Sequence, residues 1–212
     1  MAFLKIGEWK KDILEHKNKI FLALIFLIIA ITLTILSGTY VDKTEAVAVP
    51  DLLLDRIPVI NLSFIFVWGI VVVIFVFFAY PLFYKPKKLH YAIGMLSLFL
   101  CIRSIFLVLT HLKMPLNAIY SDAPGIFQYI TYSNDLFFSG HAGIPFLGFL
   151  IFDNKKVKYF MLFASIILAV TVLLMHIHYS IDVASAYFIT YGVYKMGEKI
   201  FKDPYRNNCL YG

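Results

Sequence analysis

The chain has 212 residues, of which 61% are apolar and 17% aromatic, with a mean hydropathy of +0.81. An ordinary water-soluble domain is about 45–50% apolar, so this composition excludes one and points to a bilayer as solvent. The net charge of +6 would suit a polyanion, but the charges are placed as membrane topology requires, so no nucleic-acid partner is implied.

Residues 1–19 interleave Phe3, Leu4, Ile6, Trp9, Ile13 and Leu14 with lysines, the pattern of a helix lying in the cytoplasmic interface. The uncharged run Ile20–Val41 follows. It is longer than the ~7–15-residue core of a signal peptide and ends without a small-residue cleavage site, so it reads as a retained anchor. Ile57–Tyr84 and Tyr159–Ile181 are equally free of charge, and a spanning helix needs about 20 such residues. Leu89–Leu112 is broken only by Arg103, Leu136–Phe152 is short but clean, and Ile177–Tyr194 is broken only by Asp182. The expectation is an all-α, polytopic bundle of six transmembrane helices over 20–200, with a short tail at 201–212. The longest connection is Lys113–Asp135, and no repeat or second domain interrupts the pattern. Cys101 and Cys209 form no disulfide framework or metal spacing.

Residues 1–19, 85–88, 153–158 and 195–206 hold fifteen of the nineteen Lys and Arg, whereas 42–56 and 113–135 hold three. These segments alternate along the chain, so the positive-inside rule predicts that both termini are cytoplasmic and the acidic loops exoplasmic. Arg103 and Asp182 alone fall outside this scheme. A charge at membrane depth costs at least about 2.5 kcal/mol on insertion scales, so such residues face the bundle interior and mark function or pairing. A structural Arg103–Asp182 pair between helices is the plainer alternative.

Three polar groups converge at the outer ends. Ser139-Gly140-His141 opens the fourth helix, where unpaired N–H groups favour an anion, Gly140 permits close backbone approach, and Ser139 caps the helix or bonds a phosphate oxygen. His178 and Asp182 share a face if the sixth helix begins near His178, and the carboxylate then fixes the imidazole tautomer; a local packing or capping pair is the alternative. Arg103 lies fourteen residues along its helix from Leu89, roughly 21 Å up, level with the histidines and able to clamp phosphate oxygens. His176 and His178 form an H-x-H pair, but i and i+2 point to opposite sides of a helix. His176 therefore reads as a supporting or interfacial residue, and no metal or other cofactor is implied.

Asp135-Leu-Phe-Phe-Ser-Gly-His141 resembles the D-x-x-F-S-G-H-T motif, and His178-Tyr-Ser-Ile-Asp-Val183 the H-Y-T-x-D-V motif, of the sphingomyelin synthase-like branch of the type 2 phosphatidic-acid phosphatase superfamily. Arg103-Ser-Ile-Phe-Leu-Val-Leu-Thr110 resembles that branch's R-S-I-T-x-x-V-T, and Pro50-Asp-Leu-Leu-Leu-Asp55 its P-D-x-x-x-D. The four motifs run in order from about Pro50 to Tyr194. The resemblance implies a catalytic triad of His141, His178 and Asp182, with Arg103, Ser139, Gly140, Tyr179 and Asp135 as substrate contacts. It also implies a phosphohistidine intermediate on His178, membrane lipids as partners, and an exoplasmic active site in a multi-pass membrane protein. Ala142 and Ser180 stand where the branch has Thr. The K-x6-R-P motif of the phosphatase branch is missing, and its second arginine position is Val172.

Fewer cations suit a monoanionic diester better than a dianionic monoester. The expected activity is therefore transfer of a phospho-headgroup from a phospholipid to a lipid hydroxyl, of ceramide or diacylglycerol. A lipid phosphate phosphatase using water with the same triad is the nearer alternative. A transporter using Arg103 and Asp182 is the more distant one, and the inner halves of the helices offer it little beyond Ser97 and Thr190.

Overall fold

The computed structural model describes residues 6–119, 134, 136–201 and 203. Asp135 and the second cysteine, Cys209, lie outside them, as do most of the 113–135 connection and the tail. The described residues form six α-helices, α1 (Ile6–Asp42), α2 (Ser63–Tyr84), α3 (Leu89–Leu109), α4 (Gly140–Ile151), α5 (Lys155–Leu174) and α6 (Ser180–Ile200), with 3-10 turns at Leu54–Arg56 and Pro86–Lys88. They contain no strand, only an isolated bridge between Val47 and Leu112. Four helical stretches, α1, α2, Pro86–Leu109 and α5, are long and apolar enough to cross a membrane. At 12 residues α4 is short, and α6 carries Asp182, Lys195, Glu198 and Lys199 in its 21 residues.

The helix bounds differ from those predicted, and local chemistry accounts for the start of α2 and the end of α5. The segment from Ile57 to Leu62 is uncharged but not helical: Pro58 disfavours helix before it, and Asn61 Oδ1 accepts from Ser63 N at 3.0 Å in an Asx turn that precedes α2. The run Tyr159–Ile181 ends as helix at Leu174, since His176 takes a left-handed φ of 55° and turns the chain. From Ile6 onward the N-terminal segment is continuous with the first span in one 37-residue helix, about 55 Å long against a bilayer of ~40–45 Å with headgroups.

Helix α3 is central, packing on α1, α2, α4 and α6, and its pairing with α1 is the most extensive in the molecule. α1 turns Ala23, Ala30 and Ser37 inward, a seven-residue spacing of small residues that lets two backbones approach. Its Phe21, Leu22, Ile28 and Leu36 are exposed, as lipid-facing residues are. α4 is wedged among α2, α3, α5 and α6 by its glycines. A Cβ on Gly143 would come within 2.7 Å of the Phe99 ring, and one on Gly148 within 3.0 Å of Met161.

Each end of the bundle is tied separately. At one end the buried Lys88 ammonium meets Asp153 at 2.7 Å and Asp203 at 3.0 Å, joining the starts of α3 and α5 to the exit of α6. Trp9 Nε1 donates to Leu82 O at 2.7 Å nearby. At the other end Ile60 N donates to Leu174 O at 2.8 Å, Ile119 N to Met175 O at 2.9 Å, and the Tyr179 hydroxyl to Lys113 O at 2.8 Å. These long-range bonds gather the loops around the α4 and α6 N-termini.

Candidate active site

The α6 N-terminus is built around Asp182, which stands at the third helical position. A carboxylate is favoured there by the unpaired N–H groups and the helix dipole. Its Oδ2 accepts from Tyr179 N at 3.0 Å and lies 3.2 Å from His178 Nδ1. Asp182 is fully buried and His178 nearly so. An ionised carboxylate can only accept, so the His178 proton is assigned to Nδ1 and the lone pair to Nε2. His178 itself precedes the helix, which starts at Ser180; the expected shared helical face is replaced by a capping turn that produces the same contact.

Helix α4 starts against this turn. Ser139 N donates to Asp182 O at 3.2 Å, and Ser185 Oγ bridges Asp182 O at 3.1 Å and Phe137 O at 3.2 Å. Ser139 occupies the N-cap position with extended backbone, but its side chain makes no capping bond. One helical residue on, the His141 ring stacks on Phe66 of α2 at 4.1 Å between centroids. His178 and Arg103 are the ionisable groups that act on His141 electrostatically. Among the described residues the buried atoms Ser139 Oγ, His141 Nε2 and Asp182 Oδ1 have no hydrogen-bond partner. Buried polar atoms are rarely left so, and here three of them gather at the adjoining starts of α4 and α6.

Arg103, on α3, reaches the α4 start. Its Nε donates to Phe138 O at 3.2 Å, and the guanidinium lies against Gly140, where a Cβ would sit 3.6 Å from Nε. That is ordinary contact, so Gly140 leaves open space beside the cation rather than relieving a collision. Because Asp182 gives Oδ2 to His178 and Tyr179 and leaves Oδ1 unbonded, the direct Arg103–Asp182 pair is not the arrangement found. Tyr179 spends its hydroxyl on scaffold, donating to Lys113 O and accepting from Val49 N at 3.1 Å. His176 is buried in the turn, not on a helix, so the helical argument about the H-x-H pair does not apply to it. Among the described residues no three His, Cys, Asp or Glu side chains converge as metal ligands would.

Two contributors carried no individual signal. Asp51 Oδ2 accepts from Ser180 N at 2.7 Å and Ser180 Oγ at 2.8 Å, while Oδ1 accepts from Leu53 N at 2.9 Å and Leu54 N at 3.1 Å. Burial raises the Asp51 pKa, but these four bonds outweigh it and hold the carboxyl below its ordinary value. The 129-residue separation from Ser180 hid the link; its trace in the sequence is the P-D-x-x-x-D segment and a polar residue at position 180. Phe66, the ring under His141, is one of 21 phenylalanines and had no distinguishing mark.

Residues 133–199 match the family model described as PAP2 superfamily C-terminal. That stretch contains His141, His178 and Asp182. The match supports the PAP2 superfamily. Searches of curated proteins and of solved structures returned no match. Together with the apolar helices, the PAP2 match supports a phosphatase-type lipid enzyme embedded in a membrane. Arg103 and Asp51 lie outside the matched PAP2 segment, and their place at the site rests on geometry alone.

Proposed function

We propose that the chain is a membrane lipid phosphotransferase, sphingomyelin synthase-like, that moves a phospho-headgroup from a phospholipid to the hydroxyl of ceramide or diacylglycerol. The observation that carries this reading is the His178 Nδ1–Asp182 bond, which leaves Nε2 as a nucleophile beside His141, Arg103 and the α4 N-terminus. In the first step Nε2 attacks phosphorus, the bond to the diacylglycerol oxygen breaks, and His141, charged once the anionic phosphate is bound beside it, gives its proton to that oxygen. Asp182 stabilises the cationic ring and Arg103 the phosphorane oxygens. In the second step the acceptor hydroxyl attacks the phosphohistidine, His141 takes its proton, and the P–N bond breaks to restore His178.

Transfer from a diester is favoured over hydrolysis of a monoester by the scarcity of cations. The position where the phosphatase branch carries arginine is Val172, fully buried in the core. Hydrolysis of phosphatidic acid by the same triad is the second reading, since the PAP2 match covers only the triad segment. The charge distribution supports six spans with both termini cytoplasmic and the site exoplasmic.

The test is incubation of the reconstituted protein with fluorescent ceramide or diacylglycerol and defined phospholipid donors, followed by lipid separation. A new phospholipid of the acceptor, lost in His178→Ala, is the expected result. Free phosphate from phosphatidic acid with no new phospholipid would replace the transferase by the phosphatase, and no turnover of either kind would remove both.

A further inference from the structure

Beside the His178–Asp182 turn lies a space the proposed reaction leaves unused. A cavity of about 530 Å³ is walled by the loop from Ala48 to Val59, by Pro115–Asn117, and by His176 and Tyr179. Among the described residues its charged lining groups are Asp51 and Asp55, and no Lys or Arg lines it. Asp51 is consumed by its four hydrogen bonds. Asp55 is exposed, and its carboxylate has no partner among the described residues. His176 is 6% exposed, and its Nε2 is buried without a partner among the described residues. The turn that holds it is fixed by His176 N to Leu173 O and Ile177 N to Val172 O, both 3.0 Å.

We propose that this cavity takes the ammonium group of a phospholipid headgroup, with Asp55 as counter-charge and His176 Nε2 as acceptor of one N–H. A phosphate or carboxylate would meet only like charge there, whereas an N–H-bearing cation satisfies both the carboxylate and the buried ring nitrogen. The cavity adjoins the triad through Tyr179, which lines it while its amide holds Asp182 Oδ2. One lipid can thus present its phosphate to His178 and its amine to His176. The inference rests on the proposed reaction for its lipid but makes a binding claim separate from turnover.

The test uses the detergent-solubilised full chain carrying His178→Ala and calorimetric titration with dihexanoylphosphatidylethanolamine and dihexanoylphosphatidylglycerol. The ethanolamine lipid is expected to bind about tenfold more tightly. Adding Asp55→Asn or His176→Asn should abolish that preference and leave the glycerol lipid's affinity unchanged. Asn suits the left-handed backbone at 176, and unchanged melting temperatures confirm folding. Equal affinity for the two lipids, or a preference surviving both substitutions, overturns the proposal. Headgroup-transfer assays with His178 intact separate the two claims. An amine preference in binding with no transfer from any donor keeps the cavity and removes the transferase; transfer without amine preference in binding does the reverse.

Discussion

At Asp182 a single oxygen holds both the His178 ring and the Tyr179 amide, so substitution separates charge from geometry. Asp182→Asn keeps an acceptor for the amide but removes the charge that steadies a cationic imidazole. By analogy with triad carboxylates, kcat should fall about 10³–10⁴-fold with KM little changed, as steady-state kinetics would show. Asp51 acts one step further out, through Ser180. Its lowered pKa means the folded state stabilises the ionised form, so this stability is fully present above the ordinary value of 3.8 and drains away as pH falls through the lower folded value. The thermal midpoint should therefore fall with acid less steeply in Asp51→Asn than in the wild type, although Asp51→Asn starts lower at pH 7. A parallel acid slope in the two proteins would contradict it. The lone charges Arg103 and Asp182 were legible because a bilayer makes every internal charge conspicuous. Asp51 sits in a loop already acidic, and nothing in its own surroundings points to α6.

At the scale of elements, the site depends on how closely α4 lies against its neighbours. Gly143 faces Phe99 and Thr190 with no room for a methyl group, whereas a Cβ on Gly192 meets nothing within 4 Å. Gly143→Ala should cost about 1–3 kcal/mol through overpacking. Gly192→Ala should be neutral or stabilise by about 0.5–1 kcal/mol, as for glycine in a helix interior. Melting curves in one detergent compare the two; equal effects would deny the tight seat of α4. Hydropathy revealed that these helices exist but misplaced their ends. Uncharged residues run through Ile57–Leu62 and on past Leu174, so the pattern does not register the extended segment after Pro58 or the left-handed turn at His176. Burial of an apolar residue is compatible with either conformation, and only backbone geometry and capping decide between them.

At the scale of the whole molecule, two tied ends place the candidate site at one and the lysine-rich turns at the other. Lys88 is buried against the largely buried Asp203 and the exposed Asp153, so Lys88→Ala leaves the Asp203 carboxylate without its counter-charge at the junction of three elements. It should lower stability by about 1–3 kcal/mol while leaving the residual folded fraction active, as denaturation and transfer assays on the same preparation would reveal. The proposed orientation predicts that a cysteine at Asp55 reacts with an impermeant thiol reagent added outside intact cells, and one at Asp153 does not, in a Cys101→Ser, Cys209→Ser background. The proposed reaction turns on one atom, His178 Nε2. Rapid mixing with headgroup-labelled phospholipid, alkaline quenching and mass analysis of the peptide spanning residues 176–183 tests it most directly. Label is predicted on His178, with none in His178→Ala. Label on His141, or turnover with no covalent adduct on either histidine, would contradict the account.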